Sequence, residues 1–514
     1  MPLQPIPFCG GTYQDKTLIA NAQESINLYA MKTPQPQTTA IKTEMMQGRA
    51  DNIIMYPTPG YQFAQSCVSL ATSAQTPIRA LYTINTTLYG IVGNTLFSFM
   101  PSGSGFDLTN GTFSALGTLN TSQGLCSIEC NTVQLAISDG SNGYTYTISS
   151  NTFAGISSSG AFPASGGVTN FTYYDGYIIG AVNNSRQVIQ SNELDATTWQ
   201  ALAFDKIVSF PDNLVTVFSD ELTLYCFGPK ITEPQVDVGS IPYAFQKISG
   251  VLIQGGCLAW ASVKKFGDTI MFLASDVAGS PFFATLAGYS PKPLSTPPIN
   301  EFLARLNTSQ LAAAYSWTYR EGDNHFYCCT VGGVTWCYDK KMDMWHKRSI
   351  AGGPDLPQCY TYWQNNHVVG DLSGNLCLMS QNYSWYSSGA GVHDVPLART
   401  RTAQHLIAGG MTAFVRELQI DFQVGFGFTP DANLVNQPVT GSTPLVTLYA
   451  SRDLGYIWHN LGTRSLGAQG KYLQRVIWRN LGRFRKAVTF KVVITDPVAV
   501  FITGARADIK VGKK

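Results

Sequence analysis

At 514 residues the chain is several times the size of a usual domain, which leaves room for two or three domains or for one large propeller with an ample core. Only 13% of the residues are charged, against roughly 25% in an average globular protein. A formal net charge of +2 excludes polyanion binding driven by bulk charge, so any nucleic-acid contact is local or deliberately weak.

Polarity comes instead from Ser, Thr, Asn, Gln and Gly, and 48 Gly, 26 Pro and 12% aromatics describe many short strands joined by tight turns. The opening MPLQPIPFCGG lacks the basic region and apolar core of a signal peptide. No run approaches the ~18–20 apolar residues of a membrane span. The expectation is a soluble protein made in a cytoplasm, with no membrane partner. Eleven cysteines, an odd number without a CxxC pair, sit mostly in apolar strand-like runs such as LYCFG (224–228) and HFYCCTV (325–331). Buried free thiols are expected, and neither a metal nor a cofactor, because His325, His346, His367, His393, His405 and His459 show no ligand spacing.

Residues 1–50 are irregular and polar apart from SINLYAM (25–31), and PTPGYQFA (57–64) is a Pro-Gly turn leading into a strand. A loose repeat then begins. IRALYTINTTLYGIVGNTLFSFM (78–100) alternates strands with turns at Asn85-Thr86 and Gly93-Asn94. The same plan returns in 126–148, in 171–191 with a turn at Asp175-Gly176, in 214–228 with a turn at Asp220, and in 263–286, 325–348 and 360–380. Starts every 40–50 residues or so match four-stranded propeller blades, six or seven in number, without a WD or kelch signature. A stack of β-sandwiches would give similar patterning.

One segment breaks the β pattern. Ile299, Phe302, Leu303 and Leu306 fall at helical spacing after Pro297-Pro298, and Thr308 is placed to cap a second short helix through Leu311 to Ala314. Gly/Ser-rich SWYSSGAGVHDVPLARTR (384–401) marks a domain boundary near 385. Beyond it, MTAFVRELQIDFQVG (411–425) predicts a half-buried strand, with Phe414, Leu418, Ile420, Phe422 and Val424 on one face with Arg416, and Glu417, Gln419, Asp421 and Gln423 on the other. Loop 425–444 follows, then further alternation through Val446, Leu448 and Ala450, and through Val488, Phe490, Val492 and Ile494.

The chemistry-bearing motifs are few. Ser451, Asp453, Gly455 and Trp458 have the S-x-D-x-G-x-x-W layout of an Asp-box, in which Ser and Asp bond the turn backbone, Gly takes positive φ and Trp packs beneath the hairpin. Asp-boxes abound in sialidase-type glycosidases, but there the box is a structural turn. Glycosidase chemistry needs two opposed carboxylates, and Asp220-Glu221, Glu193 with Asp195, and Glu321 with Asp323 all sit in turn-like sequence. No nucleophile elbow, HExxH or P-loop is present. The basic cluster Arg475, Arg479, Arg483, Arg485 and Lys486 reads three ways: a solvated face, a contact with a neighbouring subunit, or a contact with DNA.

The segment RVIWRNLGRFRK (475–486), following a tryptophan hairpin and leading to β-branched strands, resembles the packaged-DNA stabilisation proteins of short-tailed phages, also called tail-hub or nozzle proteins. Arg475, Trp478, Arg479, Leu481, Gly482, Arg483 and Arg485 carry the resemblance, with looser similarity in NLYAM (27–31), PGYQFA (59–64), 173–199, 212–228 and the helices at 299–317. It implies a non-enzymatic virion tail protein, assembled in the host bacterial cytoplasm. It further implies a homohexameric ring below the portal-adaptor ring, which extends the DNA channel, retains the genome until ejection and meets a tail needle or fibre and tailspikes. Genomic dsDNA would pass through without sequence-specific contact. The combined expectation is an all-β chain with three parts: an N-terminal arm (1–50) packing on the C-terminal module, a propeller-like body of about six blades (51–385, helical insertion 298–316), and a C-terminal antiparallel sheet or sandwich (386–514). Arg475, Trp478, Arg479, Arg483, Arg485 and Lys486 are its candidate subunit or adaptor contacts. The rival reading is a propeller glycosidase or depolymerase, or a carbohydrate-binding propeller, acting on host surface glycans.

Overall fold

A computed structural model describes residues 3–13, 23–32, 53–103, 107–157, 160–164, 167–387, 389, 395–407, 411–425, 443–485 and 487–512. Every stretch that reads as a meander is a blade. The innermost strands are Ile78–Ile84, Ser127–Cys130, Val168–Tyr174, Thr216–Asp220, Lys264–Phe266, Tyr315–Glu321 and Cys359–Trp363, and each opens an antiparallel sheet. That makes seven blades among the described residues. The turns work as their residues demand. Asp175 and Gly176 both take positive φ, the conformation of a two-residue hairpin whose twist matches the flanking strands. At Asp220-Glu221 it is Glu221 that takes positive φ, although Asp220 is the better turn former by type.

The first six blades draw their propeller strands from consecutive sequence, and the seventh does not. Its outer partner is Gly60–Ser66, which pairs antiparallel with Asn375–Ser380 from more than 300 residues away and so closes the ring. A cluster of buried groups fastens this closing strand. Arg348, at the end of blade six, donates from Nε to Asp355 Oδ2 (2.5 Å) and from Nη2 to Pro59 O (3.1 Å) and Tyr61 Oη (2.5 Å). Tyr61 Oη in turn donates to Asp355 Oδ2 (2.6 Å), and Tyr319 and Trp317 lie against the guanidinium. Burial is the largest influence on Arg348 and works against its charge, but Asp355 together with Tyr61, Tyr319 and Cys328 outweighs it and holds the group above the ordinary arginine range.

Blade six does not end at its fourth strand, Met344–Arg348. Glu24–Ile26 joins it in parallel, and the sheet continues antiparallel through Arg399–Thr402, Ala487–Ile494, Leu445–Ser451 and His459–Ser465. Against this extension packs a second sheet, ordered Leu28–Lys32, Ile53–Pro57, Ile502–Val511, Ala413–Phe422 and Val476–Phe484. Trp478, Phe490, Leu418, Leu448, Val492 and Ile502 fill the sandwich between them. Asn27 ties the two units at the seam: its Nδ2 donates to Ser349 O (2.7 Å) and Ala398 O (2.9 Å), and its Oδ1 accepts from Ser349 N (3.0 Å).

Two local expectations shift. The helices are Pro297–Ala304 and Thr308–Ala312, and the second is capped by Asn307 rather than Thr308. The Asn307 side chain accepts from Gln310 N while Gln310 reaches back to Asn307 N, a reciprocal capping box that Thr308 is one residue too late to form. Phe414 is the second. It lies on the outer face, 42% exposed, while Ala413 and Val415 point inward. A register shift between Val415 and Glu417 inserts Arg416 and reverses the phase of alternation. All eleven cysteines are free thiols, and no helix among the described residues is long and apolar enough to cross a membrane.

Two outcomes follow for stability. Asp355→Ala strands a buried guanidinium and should cost about 3–5 kcal/mol in urea unfolding, whereas Tyr61→Phe should cost about 1–2 kcal/mol. His346 is buried beside Tyr29 and Phe326, and burial lowers its pKa from 6.5 to about 3. The unfolded chain therefore takes up this proton first, so the contribution is whole above pH 6.5 and is lost as pH falls toward 3. Relative to a His346→Leu variant, the protein should lose about 2 kcal/mol between neutral pH and about pH 5.

Candidate assembly surface

The two Asn-Leu-Gly triplets occupy matching places on the sandwich. Asn460–Gly462 lies in the edge strand of one sheet and Asn480–Gly482 in the edge strand of the other. Both interrupt the pairing register with one extra residue, and Gly462 and Gly482 take φ of 99° and 87°. Such bulges bend the strand and re-aim its side chains. Across the gap, Trp478 Nε1 donates to Gly462 O (2.9 Å) and Arg464 Nε donates to Ile477 O (2.9 Å), so the edges of the two sheets are stitched together.

Trp478 is thereby removed from the contact set. Its indole is fully buried in the sandwich core, so it cannot touch a neighbouring subunit. The arginines divide. Arg479 is exposed, but its Nε donates to Glu417 Oε2 (2.9 Å) on the adjacent strand. Arg475, Arg483 and Arg485 are exposed and have no hydrogen-bond or ion-pair partner among the described residues. Lys486 lies outside the described residues.

Other groups gather near Arg483 that the linear reading did not collect. An open groove of about 580 Å³ at this end of the sheet is lined by Phe414, Arg416, Asn480, Gly482 and Lys510. The Arg452 guanidinium approaches Gly482 so closely that a Cβ there would sit 3.0 Å from it. The signal in the sequence was the adjacent polar pair Arg416-Glu417 inside an alternating strand, which is what a bulge requires. Arg452 and Lys510 carried no such signal, because the pairing that brings them here spans the whole module.

The Asp-box is a turn. Ser451 Oγ donates to Asp453 Oδ1 (2.5 Å) and accepts from Gly455 N (2.8 Å), while Asp453 Oδ1 also accepts from Ile457 N (2.9 Å). The Ile457 N–H and the Ser451 hydroxyl hold the Asp453 carboxyl below the usual range. Gly455 takes φ of 100°. Trp458 is only half-buried and does not pack into the core beneath the hairpin, since Lys491 Nζ covers its ring at 4.1 Å from the centroid.

Two further places hold titratable groups. Inside the propeller, the seven innermost strands enclose a cavity of about 290 Å³ lined by Arg79, Glu129 and Lys264 among others. Burial pushes Glu129 up to about 7 and Lys264 downward. On the rim between blades six and seven, Tyr360 Oη lies 2.8 Å from His367 Nδ1. The carboxylate pairs considered for glycoside chemistry lie at hairpin turns, with Glu221, Glu193 and Asp323 exposed. Among the described residues, no three His, Cys, Asp or Glu side chains gather as metal ligands.

Comparison with known proteins places this geometry. The family model described as bacteriophage P22 Gp10, beta-propeller, matches residues 53–384, and that described as bacteriophage P22 Gp10, beta-sandwich, matches residues 398–510. Among solved structures, the WD40 beta propeller domain of Doa1 is similar at 11% identity and a TM-score of 0.34, over 63% of this chain and 97% of that one. The N-terminal domain of Nup159 is similar at 9% identity and a TM-score of 0.38, over 63% of this chain and 95% of that one. No curated protein matches the chain.

Buried and exposed members of the Arg475–Arg485 segment should separate cleanly on substitution. Trp478→Ala should destabilise the isolated protein by about 3–5 kcal/mol in chemical denaturation, and Arg483→Ala should fall within about 0.5 kcal/mol of the parent.

Proposed function

The chain belongs to the bacteriophage P22 Gp10 family, and from that premise we propose that it forms a homohexameric tail nozzle beneath the portal-adaptor ring of a short-tailed phage. At the level of the family it is a phage structural protein that stabilises packaged DNA and is associated with the virion. In the finer reading the ring extends the DNA channel, is made in the bacterial cytoplasm, and holds the genome until ejection without performing catalysis. Its further partners are a tail needle or fibre and the tailspikes.

One observation carries this reading. Arg483 and Arg485 stand exposed, with no side-chain partner among the described residues, at the end of the sandwich that carries the exposed ring of Phe414, and Arg475 is likewise exposed and without a partner there at the opposite end of the same strand. Arg479, in the same strand, already has its carboxylate. Unpaired guanidiniums around an aromatic anchor are the groups that recur at protein–protein interfaces, because they form bidentate bonds to carboxylates and stack on aromatic faces. The overall charge supports a conduit. Affinity for duplex DNA rises steeply with each phosphate neutralised, so a chain with net +2 lets DNA slide where a strongly basic one would grip it.

Ring formation is read directly from mass. Purified protein, alone or mixed with its portal-adaptor ring, should sediment as a six-copy assembly, and particles made without it should lose their DNA. A protein that stays monomeric under both conditions, or particles that keep their DNA in its absence, would refute the proposal.

A further inference from the structure

The propeller bore holds two opposite charges that no direct contact joins among the described residues. Three charged residues line the cavity: Arg79, Glu129 and Lys264. Arg79 is fully committed. Its Nε donates to Gly124 O (2.7 Å), Nη1 to Gly93 O (3.0 Å) and Thr121 O (2.7 Å), and Nη2 to Thr121 Oγ1 (2.9 Å) and Gln123 O (2.8 Å), which uses all five N–H groups.

Glu129 and Lys264 differ. Neither makes a hydrogen bond or a contact ion pair among the described residues, yet each lies within the other's field. Glu129 is on the innermost strand of blade two and Lys264 on that of blade five, so in a ring of seven they stand on opposing walls. Both side chains are half-buried along the bore, where a partner is favourable because water reaches each charge only in part. Here a carboxylate and an ammonium are held apart, with a cavity of about 290 Å³ between their walls.

We propose that the bore is a binding site for a small zwitterion, whose cationic end meets Glu129 and whose anionic end meets Lys264. A ligand with one charge would satisfy one wall and leave the other bare. The space equals that of roughly ten water molecules, enough for an amino acid-sized molecule and too small for a peptide or an oligosaccharide. Nothing in this reading depends on ring assembly, so it stands or falls separately from the nozzle.

An ω-amino acid series measures the site like a ruler. Thermal unfolding of the full chain is recorded with glycine, β-alanine, 4-aminobutyrate, 5-aminopentanoate and 6-aminohexanoate, and with acetate and methylammonium as singly charged controls. One length, or two adjacent lengths, should raise Tm by about 2–4 °C at saturation. Neither control should do so, and Glu129→Gln or Lys264→Met should abolish the shift. If a single variant does not fold, the exchange Glu129→Lys with Lys264→Glu keeps one charge of each sign and should retain binding with the ligand reversed. No shift with any length, which means solvent alone fills the bore, would overturn the proposal. A shift that survives both single variants, or that the controls reproduce, would overturn it equally.

Discussion

The structure depends on the buried contact among Arg348, Asp355 and Tyr61. A propeller is a ring made from an open chain, and its last blade must recruit a strand from elsewhere or leave an exposed edge. Here Gly60–Ser66 supplies that strand, and Arg348 grips it through Pro59 O and Tyr61 Oη while Asp355 balances the charge. A buried ion pair is weak evidence of net stability, because desolvation offsets most of the attraction. Its value is specificity: only one strand in one register presents a carbonyl and a phenol to that guanidinium. Blade six, which supplies Arg348, also starts the sandwich sheet through Glu24–Ile26, so ring closure and the attachment of the second module share one seam, which Asn27 locks on both sides.

On this rigid seam the sandwich presents its edges. The paired Asn-Leu-Gly bulges decide which side chains of the edge strands face inward. They bury Trp478 across the gap and turn Arg483 and its neighbours outward. Elsewhere the outer face is self-neutralised, as in Arg479 with Glu417 and Arg506 with Asp421. The contrast between paired and unpaired guanidiniums within one short segment is the observation on which the proposed assembly surface rests, since a uniformly paired stripe would be a solvated face. With 13% charged residues and a net charge of +2, the chain has little electrostatic attraction for duplex DNA.

Much of this was legible in the sequence because it is local. Hairpins such as Tyr174–Tyr177 follow from Asp175-Gly176 and flanking apolar alternation, and the Ser451–Trp458 turn follows from residues at fixed offsets that bond their own backbone. What escaped was set by distance or by a break in phase. The strand that closes blade seven lies more than 300 residues from its partner, and nothing in its composition names that partner. Bulges at Arg416 and Asn480 shift alternation by one residue, which put Phe414 on the wrong face and left Trp478 with the contact arginines. Glu129 and Lys264 look like ordinary polar residues at the two ends of unrelated hairpins, and only the closed ring sets them opposite each other.

The most direct test is to reverse the charge of Arg475, Arg483 and Arg485 together by substitution to Glu, and to measure both incorporation of the folded variant into tails and the DNA content of the resulting particles. Because these side chains make no hydrogen bond or ion pair among the described residues, the isolated variant should fold with an unchanged unfolding midpoint, yet be missing from tails, and the particles should lose their genome. A variant that enters tails at parental levels, on particles that keep their DNA, would contradict an assembly role for this surface.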